Sequence, residues 1–246
     1  MNYHIAIPSY QRYECITLSL LDDVMDKVTV FVANQDEYTK YKERHSNIKM
    51  VIGEKGIMNQ RNFITNYYDN NEIIVCMDDD IKGFLCQERS VKHMLEDCVT
   101  YLSQSKLSLM SFPPTSNEFY NKRENSYTEG NYLTVGVFHI YKNDKSIQLY
   151  TCLEDYERSC EYIRRDGAII RCWNVCYKHK PLAKGGLTEY RKNPNSTINA
   201  TNTMIYKYSD MLIFKYRVNS LFAQIRIRLK TYDKPKVIKL PNTNMF

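Results

Sequence analysis

A short apolar segment that ends in three consecutive aspartates constrains the fold of this chain more than any other feature. Residues 73–77 have the composition of a buried strand, and Asp78, Asp79 and Asp80 follow directly. Adjacent carboxylates repel one another and need water or a cation, and ligands of open α/β sheets bind beyond the carboxyl ends of the strands. Because side chains alternate along an extended chain, Asp78 and Asp80 can point the same way and offer two oxygens to a divalent ion. A solvated acidic turn that caps the next helix is the alternative interpretation.

The chain before this segment repeats the order of strand, loop and helix. Apolar strands are predicted at residues 3–7, 28–32 and 48–52, and helical periodicity follows the first of them at residues 14–25. Strands that alternate with helices form a parallel, doubly wound sheet. We therefore predict an α/β fold with a mostly parallel central sheet flanked by helices, whose site lies at the carboxyl ends of the strands. Beyond it, residues 113–131 lack periodicity and predict a long loop.

Charge is distributed unevenly along the chain. Residues 1–170 hold 19 Lys and Arg against 25 Asp and Glu, whereas residues 171–246 hold 15 against 3. This asymmetry predicts that the C-terminal third contacts a polyanion, although a basic surface without such a partner would have the same composition. Residues 224–230 alternate with a period of two, which would place a row of basic side chains on one face of a strand.

Cysteine usage and hydropathy bear on the location of the protein. The 8 cysteines form no C-x-x-C pair and follow no signal peptide, so they are expected to be reduced thiols of a cytoplasmic protein. No apolar run reaches the roughly 18 residues of a membrane span. Only 8 glycines, with many Asn, Lys, Ile and Tyr, suggest an AT-rich coding genome and hence a virus or phage.

Four motifs in one order resemble the GT-A glycosyltransferases, especially the inverting family with an I-P-[ST]-Y-[NQ]-R start, a D-x-D motif and an E-D-x-[DE] helix. They are Ile-Pro-Ser-Tyr-Gln-Arg at residues 7–12, Gln-Arg-Asn at 60–62, the aspartates at 78–80, and Glu154-Asp155 heading a helix closed by Arg-Arg-Asp-Gly at 164–167. The resemblance covers roughly residues 3–180. It implies a Rossmann-like GT-A core at residues 1–180 and a basic C-terminal extension at residues 181–246, packed on the core and contacting the acceptor.

The resemblance also implies roles for single residues. Asp78 and Asp80 would bind Mn²⁺ or Mg²⁺, and His179 is a candidate further ligand or else a surface histidine. Asp155, next to Glu154, would accept the proton of the acceptor hydroxyl. The implied contacts of a UDP-sugar donor are Pro8, Ser9, Tyr10, Arg12, Asn34, Asp36, Gln60, Arg61 and Asp79, with Arg61 near the diphosphate. Asn34-Gln35-Asp36 departs from the acidic strand tip that is common in the family.

The basic extension points to DNA as the acceptor. The short basic chain, with Gly185-Gly186 and the Arg191 that follows, is similar to the glycosyltransferases associated with base J synthesis and their phage relatives, which modify hydroxymethylpyrimidines in DNA. The expected DNA contacts are Arg191, Lys192, Lys215, Arg217, Arg226, Arg228 and Lys230. A protein or glycan acceptor, an inactive nucleic-acid-binding module and a nucleotidyltransferase are the alternatives. No obligate protein partner is implied.

Overall fold

A nine-stranded mixed sheet forms the centre of the molecule in the computed structural model, which describes residues 2–86, 89–113, 126–149, 153–179, 194–215, 226–229 and 236–237. The strands of the described residues are β1 His4–Pro8, β2 Val28–Val32, β3 Met50–Ile52, β4 Ile73–Met77, β5 Ile81–Leu85, β6 Leu109–Ser111, β7 Tyr127–Gly130, β8 Phe138–Lys142, β9 Ile169–Cys172, β10 Cys176–His179, β11 Leu212–Lys215, β12 Arg226–Leu229 and β13 Lys236–Val237. The helices are α1 Gln35–Arg44, α2 Ile57–Tyr67, α3 Val91–Gln104, α4 Glu154–Asp166 and α5 Pro194–Lys207.

The strand order of the central sheet is β13-β7-β9-β6-β8-β4-β1-β2-β3. The pairings of β1 with β2, β1 with β4, β2 with β3 and β6 with β9 are parallel, and β7 and β8 pair antiparallel with each of their neighbours. Seven of these nine strands therefore run in one direction. The predicted α/β class with a mostly parallel sheet is confirmed.

The helices cover both faces of the sheet. The larger apolar core lies on the face that carries α3, where Leu95, Val99 and Leu102 are fully buried. On the opposite face, Ile64 of α2 and Tyr162 of α4 pack with strand residues. Buried apolar side chains on two faces explain why the central strands read as nearly continuous apolar runs in the sequence.

The prediction of one regular helix after β1 is wrong. Residues 16–27 form two 3-10 helices, Ile16–Leu20 and Asp22–Lys27, separated by a non-helical Leu21 and kinked at Val24. The side chain of Thr17 donates to the carbonyl oxygen of Asp78 at 2.7 Å and accepts from the N–H of Ile81 at 2.9 Å. These hydrogen bonds tie the segment to the tip of β4, where it forms 3-10 helices instead of the α-helix that the apolar spacing predicts. Of the loop predicted at residues 113–131, residues 127–130 form β7, and residues 114–125 lie outside the described part.

The described part of the C-terminal extension contacts α4. Met204, Tyr208 and Leu212 pack with Cys160 in a small buried cluster, and Lys207 pairs with Glu157 at 3.0 Å. Beyond α5, β11 and β12 form a separate two-stranded sheet, and β13 pairs with β7 at the edge of the central sheet. The division at residue 180 stays a prediction. No helix of the described residues has the length and apolar character that crossing a membrane requires.

Candidate active site at the carboxyl ends of β1 and β4

The candidate site lies where the strand order reverses. The chain runs from β1 outward through β2 to β3, and then returns to place β4 on the other side of β1. In open α/β sheets, such a reversal opens a crevice at the carboxyl ends of the two strands, and ligands bind there. The loop after β1 begins at Ser9 and the loop after β4 begins at Asp78, so the two motifs that the sequence separates by about seventy residues meet at this crevice.

Arg12 joins the two loops. Its Nη1 lies 2.7 Å from Asp79 Oδ1 and 2.8 Å from Asp80 Oδ2. Ser9 donates from Oγ to Asp79 Oδ2 at 2.5 Å, and the hydroxyl of Tyr41 lies 2.5 Å from Ser9 Oγ. Burial raises the pKa of Asp79 to about 6, against the opposing effect of Arg12. We call Ser9, Arg12, Asp79 and Asp80 the Arg12 cluster.

Arg61 organises a second group of carboxylates on the other side of the crevice. Its guanidinium is 3% exposed and lies 3.2 Å from Asp78 Oδ1 and 2.8 Å from Glu154 Oε1, measured from Nη2 and Nη1. Nη2 also donates to the carbonyl oxygen of Gly136 at 2.7 Å. Burial raises the pKa of Glu154, as does the charge of Asp155, although Arg61 opposes both. We call Asp78, Arg61, Gly136 and Glu154 the Arg61 cluster.

Asp155 adjoins the Arg61 cluster through the backbone. Its Oδ2 accepts a hydrogen bond from the N–H of Gly136 at 2.8 Å, and its Oδ1 accepts from the N–H of Tyr156 at 2.8 Å. The first turn of α4 thus brings Glu154 and Asp155 to the tip of β4. The sequence predicted both the acidic helix start and the glycine at its end, where Gly167 has a φ of 86°.

The three aspartates do not alternate as predicted. Asp78 faces Arg61, but both Asp79 and Asp80 pair with Arg12. Residues 79 and 80 form a turn, so the two-residue alternation of a strand ends at residue 78. Sequence periodicity alone could not place this break, because the apolar run and the first aspartate are continuous.

Asp80 and Asp78 are the carboxylates at the tip of β4 that could bind a metal ion. Asp80 Oδ1 is buried and has no hydrogen-bond partner, and the side chain of Asp78 is 27% exposed. Carboxylate oxygens of this kind suit Mg²⁺ or Mn²⁺, which take their remaining ligands from water and substrate phosphates. His179 is the last residue of β10 and pairs with Ile81, the residue that follows Asp80 in the chain. Within the described ranges, no group of three or more His, Cys, Asp and Glu is arranged to hold a metal, so such an ion would depend on two carboxylates and its substrate.

The other residues expected to contact the UDP-sugar lie after β1, at the start of α1 and in α2. Pro8 ends β1, and the partly exposed Tyr10 stands in the loop beyond it. Asn34 is the N-cap of α1, and its side chain accepts from the N–H of Glu37 at 3.0 Å, while Asp36 is exposed in the first turn of the same helix. Gln60 is 4% exposed and accepts from the N–H of Glu54 at 2.7 Å, so it supports the turn before α2.

Sequence reasoning missed three residues that support the site. Glu37 is 5% exposed and accepts hydrogen bonds from the N–H of Gln11 and the hydroxyl of Tyr13, which fixes the loop after β1. Thr17 holds the backbone at the tip of β4, and Gly136 contacts both Arg61 and Asp155. The acidic first turn of α1 was a visible signal for Glu37. No local pattern singles out Thr17 or Gly136.

The expected DNA contacts are described only in part. Arg191, Lys192, Arg217 and Lys230 lie outside the described residues. The backbone of Arg226–Leu229 forms β12, which confirms a strand within the predicted segment, and it pairs antiparallel with β11. In that register Lys215 stands opposite Arg226, and Ile213 stands opposite Arg228.

A crevice at the carboxyl ends of strands such as β1 and β4 is the general ligand-binding position of open α/β sheets. No protein-family profile and no curated protein matches the sequence. The fold is similar to a solved structure of glucosyl-3-phosphoglycerate synthase from Mycobacterium tuberculosis in complex with phosphoglyceric acid, with 8% identity, a TM-score of 0.49, and coverage of 93% of this chain and 89% of that one.

Two further solved structures are nucleotide-transferring enzymes. A CMP:2-keto-3-deoxy-manno-octonic acid synthetase complexed with CTP shares 10% identity at a TM-score of 0.44 and covers 82% of this chain and 100% of that one. A cytidylyltransferase from Leptospira borgpetersenii shares 13% identity at a TM-score of 0.35 and covers 58% and 60%. At these identities and scores the likenesses concern the overall fold and assign no activity to this chain.

Proposed function

We propose that this protein is a metal-dependent inverting glycosyltransferase that moves a sugar from a UDP-sugar to a hydroxyl group of its acceptor. The observation that carries the proposal is the convergence of four sequence motifs. Residues 7–12, Arg61, the aspartates at 78–80 and the start of α4 are far apart in the chain, yet two arginine-centred clusters join them at one crevice.

The charge of the crevice favours a bound cation. Among the described residues, the five carboxylates of Asp78, Asp79, Asp80, Glu154 and Asp155 face two guanidinium groups. These groups together carry a net charge of −3, or −2 with Glu154 protonated. A diphosphate would be repelled by this charge unless a divalent ion came with it. Mn²⁺ or Mg²⁺ held by Asp78 and Asp80 would supply that charge and neutralise the departing UDP. The loop after β1, which begins at Ser9 and includes Arg12, is then the part of the crevice that would accommodate the nucleoside.

Two backbone contacts support the proposal that Asp155 is the general base. It stands at the first turn of α4, and a backbone N–H from Gly136 and one from Tyr156 orient both oxygens of its carboxylate. A base in a fixed orientation removes the proton of the attacking hydroxyl without first reorganising. Glu154 is buried and paired with Arg61, which supports a role as a counter-ion. The proton is assigned to Asp155 because the resemblance implies that carboxylate as the base.

The proposed acceptor is DNA that carries hydroxymethylated pyrimidines. Residues 171–246 have 15 basic against 3 acidic residues, and a chain with this balance attracts a polyanion. The hydroxymethyl oxygen is a primary alcohol that a carboxylate base can activate. That group projects from C5 of the base into the major groove, and the base would have to leave the helix for the group to enter the crevice and reach Asp155.

Incubation of the protein with a panel of UDP-sugars and hydroxymethylated, methylated or unmodified DNA, followed by mass spectrometry of the nucleosides, tests this function. We expect a hexose or pentose mass on the hydroxymethylated nucleoside only, and only with Mn²⁺ or Mg²⁺ present. Transfer to a protein or glycan with no transfer to DNA would contradict the DNA acceptor but support the glycosyltransferase activity. DNA binding without turnover of any UDP-sugar would identify an inactive binding module. Release of pyrophosphate from a free nucleoside triphosphate would instead identify a nucleotidyltransferase.

A further inference from the structure

Gly136 is the residue through which Arg61 contacts the backbone beside Asp155. Its carbonyl oxygen accepts from Arg61 Nη2 at 2.7 Å, and its N–H donates to Asp155 Oδ2 at 2.8 Å. A single residue therefore holds both the cation of the Arg61 cluster and the carboxylate that lies next to that cluster.

Space, and not backbone freedom, is the reason for glycine at this position. The φ angle of Gly136 lies outside the left-handed region that favours glycine, so the backbone itself would accept another residue. A Cβ at this position, however, would lie 2.6 Å from Arg61 Nη1 and 2.7 Å from Nη2. These distances are well below van der Waals contact. The guanidinium that meets the added carbon is 3% exposed and ion-paired on two sides, so it has little room to move.

The segment around Gly136 is fixed at both ends. Val137 accepts from the N–H of Asp78 at 2.8 Å, and Phe138 pairs with Met77 at the start of β8. On the other side, the N–H of Thr134 donates at 2.8 Å to Ser159 Oγ in the second turn of α4. Residues 134–138 thus connect the tip of β4 to the first turns of α4, and Gly136 lies in the middle of this connection.

We infer that Gly136 is a positioning residue that sets the distance between the metal-binding aspartate, Asp78, and the general base, Asp155. Because glycine has no side chain, it leaves room for Arg61, whose guanidinium pairs with both Asp78 and Glu154. The N–H of Gly136 orients Asp155. The inference rests on the proposed function for the identities of base and metal ligand. The contact between Gly136 and Arg61 does not depend on that function.

A double-mutant cycle with Gly136→Ala and Arg61→Lys tests the inference, with Gly83→Ala as the matched control, because a Cβ on Gly83 would meet nothing within 4 Å. Lysine keeps the charge but lacks the guanidinium that the added methyl group would strike. We expect Gly136→Ala to lower kcat by about 10- to 100-fold, since small displacements of catalytic groups have effects of this size, while the KM for the UDP-sugar changes much less. Thermal unfolding of all variants is measured in parallel. Gly136→Ala should lower Tm by several degrees in the wild-type background and by clearly less in the Arg61→Lys background.

Each outcome of this experiment bears on one of two claims. If Gly136→Ala behaves like Gly83→Ala in kcat and in Tm, the inference is overturned. If its effect on Tm is the same in the wild-type and Arg61→Lys backgrounds, the contact with Arg61 is not the cause and the inference is also overturned. If wild-type protein transfers no sugar with any donor, the proposed function fails, and the catalytic part of the inference fails with it. The unfolding cycle still decides on the contact between Gly136 and Arg61 in that case.

Discussion

The two charged regions of this molecule are built in different ways. At the crevice between β1 and β4, the charges of the two arginine clusters are largely buried, each arginine pairs with two carboxylates, and the elements that carry them belong to the nine-stranded sheet or to helices that flank it. Between α4 and the end of α5 the cations are more exposed: Arg164, which pairs with Asp210, is 37% exposed, and Lys207, which pairs with Glu157, is 28% exposed. Beyond α5, β11 and β12 pair with each other in a sheet of their own.

This difference indicates a division of work. Buried, multiply paired charges are costly to desolvate and are kept where a fixed geometry is required. Exposed charges, such as those of Arg164 and Asp210, add little stability, but exposed charges in general attract a charged partner through solvent. We therefore expect the crevice to determine the chemistry and the extension to determine affinity for the acceptor, and the following experiments test that separation.

Loss of a carboxylate that we propose as a metal ligand has the largest expected effect. Asp80→Ala removes the one carboxylate oxygen of the Arg12 cluster that is buried and lacks a hydrogen-bond partner. Sugar transfer should fall below detection, because the divalent ion that would bind the diphosphate loses a protein ligand. Nucleoside mass spectrometry and UDP titration in Mn²⁺ measure this. Asp97→Ala, which removes an exposed carboxylate of α3, is the control. Full activity of Asp80→Ala, or of the wild type in excess EDTA, would contradict the metal site.

Removal of the proposed base comes next. Asp155→Asn should lower kcat by about 10²- to 10⁴-fold, since a positioned base contributes about that much, and should leave the affinity for the UDP-sugar nearly unchanged. Single-turnover kinetics and isothermal titration with the donor separate the two effects. A variant Glu154→Gln that loses more activity than Asp155→Asn, at equal stability, would show that the adjacent carboxylate is the base.

Stability separates the two regions directly. Arg61→Met leaves the buried Glu154 and the half-buried Asp78 without their cation and should lower the free energy of unfolding by about 3–5 kcal/mol. The same substitution at Arg164, whose pair with Asp210 is exposed, should cost about 0–1 kcal/mol. Urea denaturation of both variants gives the comparison. Equal losses would mean that the buried and exposed regions do not differ as described.

Salt dependence tests the extension alone. If about four phosphates are neutralised, the slope of log K for duplex DNA against log salt should be near −3.6, from about −0.9 for each contact. Reversal of charge at Arg226 and Arg228, the two basic residues of β12, should weaken DNA binding and bring the slope to about −1.8. Hydrolysis of the UDP-sugar without acceptor should not change. A flat salt dependence in the wild type would exclude the DNA acceptor and leave the crevice chemistry in place.

The sequence predicted the parts of the fold that local patterns determine. Strands with long apolar runs, such as β2 and β4, were placed within a residue or two. The α/β class followed from the alternation of these elements. Where a contact between distant segments overrides local periodicity, the prediction failed, as in the 3-10 helices of residues 16–27 that Thr17 ties to the tip of β4.

The site was predictable in its members but not in their pairing. Carboxylates at a strand end and at a helix start can be seen in the sequence, because charges at these positions are unusual or favourable for known reasons. Which arginine pairs with which carboxylate depends on the sheet order. In particular, β8 lies between β4 and β6 and runs antiparallel to both, which brings Gly136 to Asp78, and no local pattern indicates this insertion.

The position of β8 in the sheet also determines when the site can form during folding. Arg61 and Gly136 are 75 residues apart, and Ser9 and Asp79 are 70 apart, so contacts of long sequence separation close the crevice. Contacts of this kind form late, because the chain first loses the entropy of a large loop. A nascent chain that ends after β5 has one edge of β4 unpaired and three aspartates beside it without Gly136 or α4. The Arg61 cluster, which includes Glu154, can therefore be complete only after the ribosome has synthesised α4.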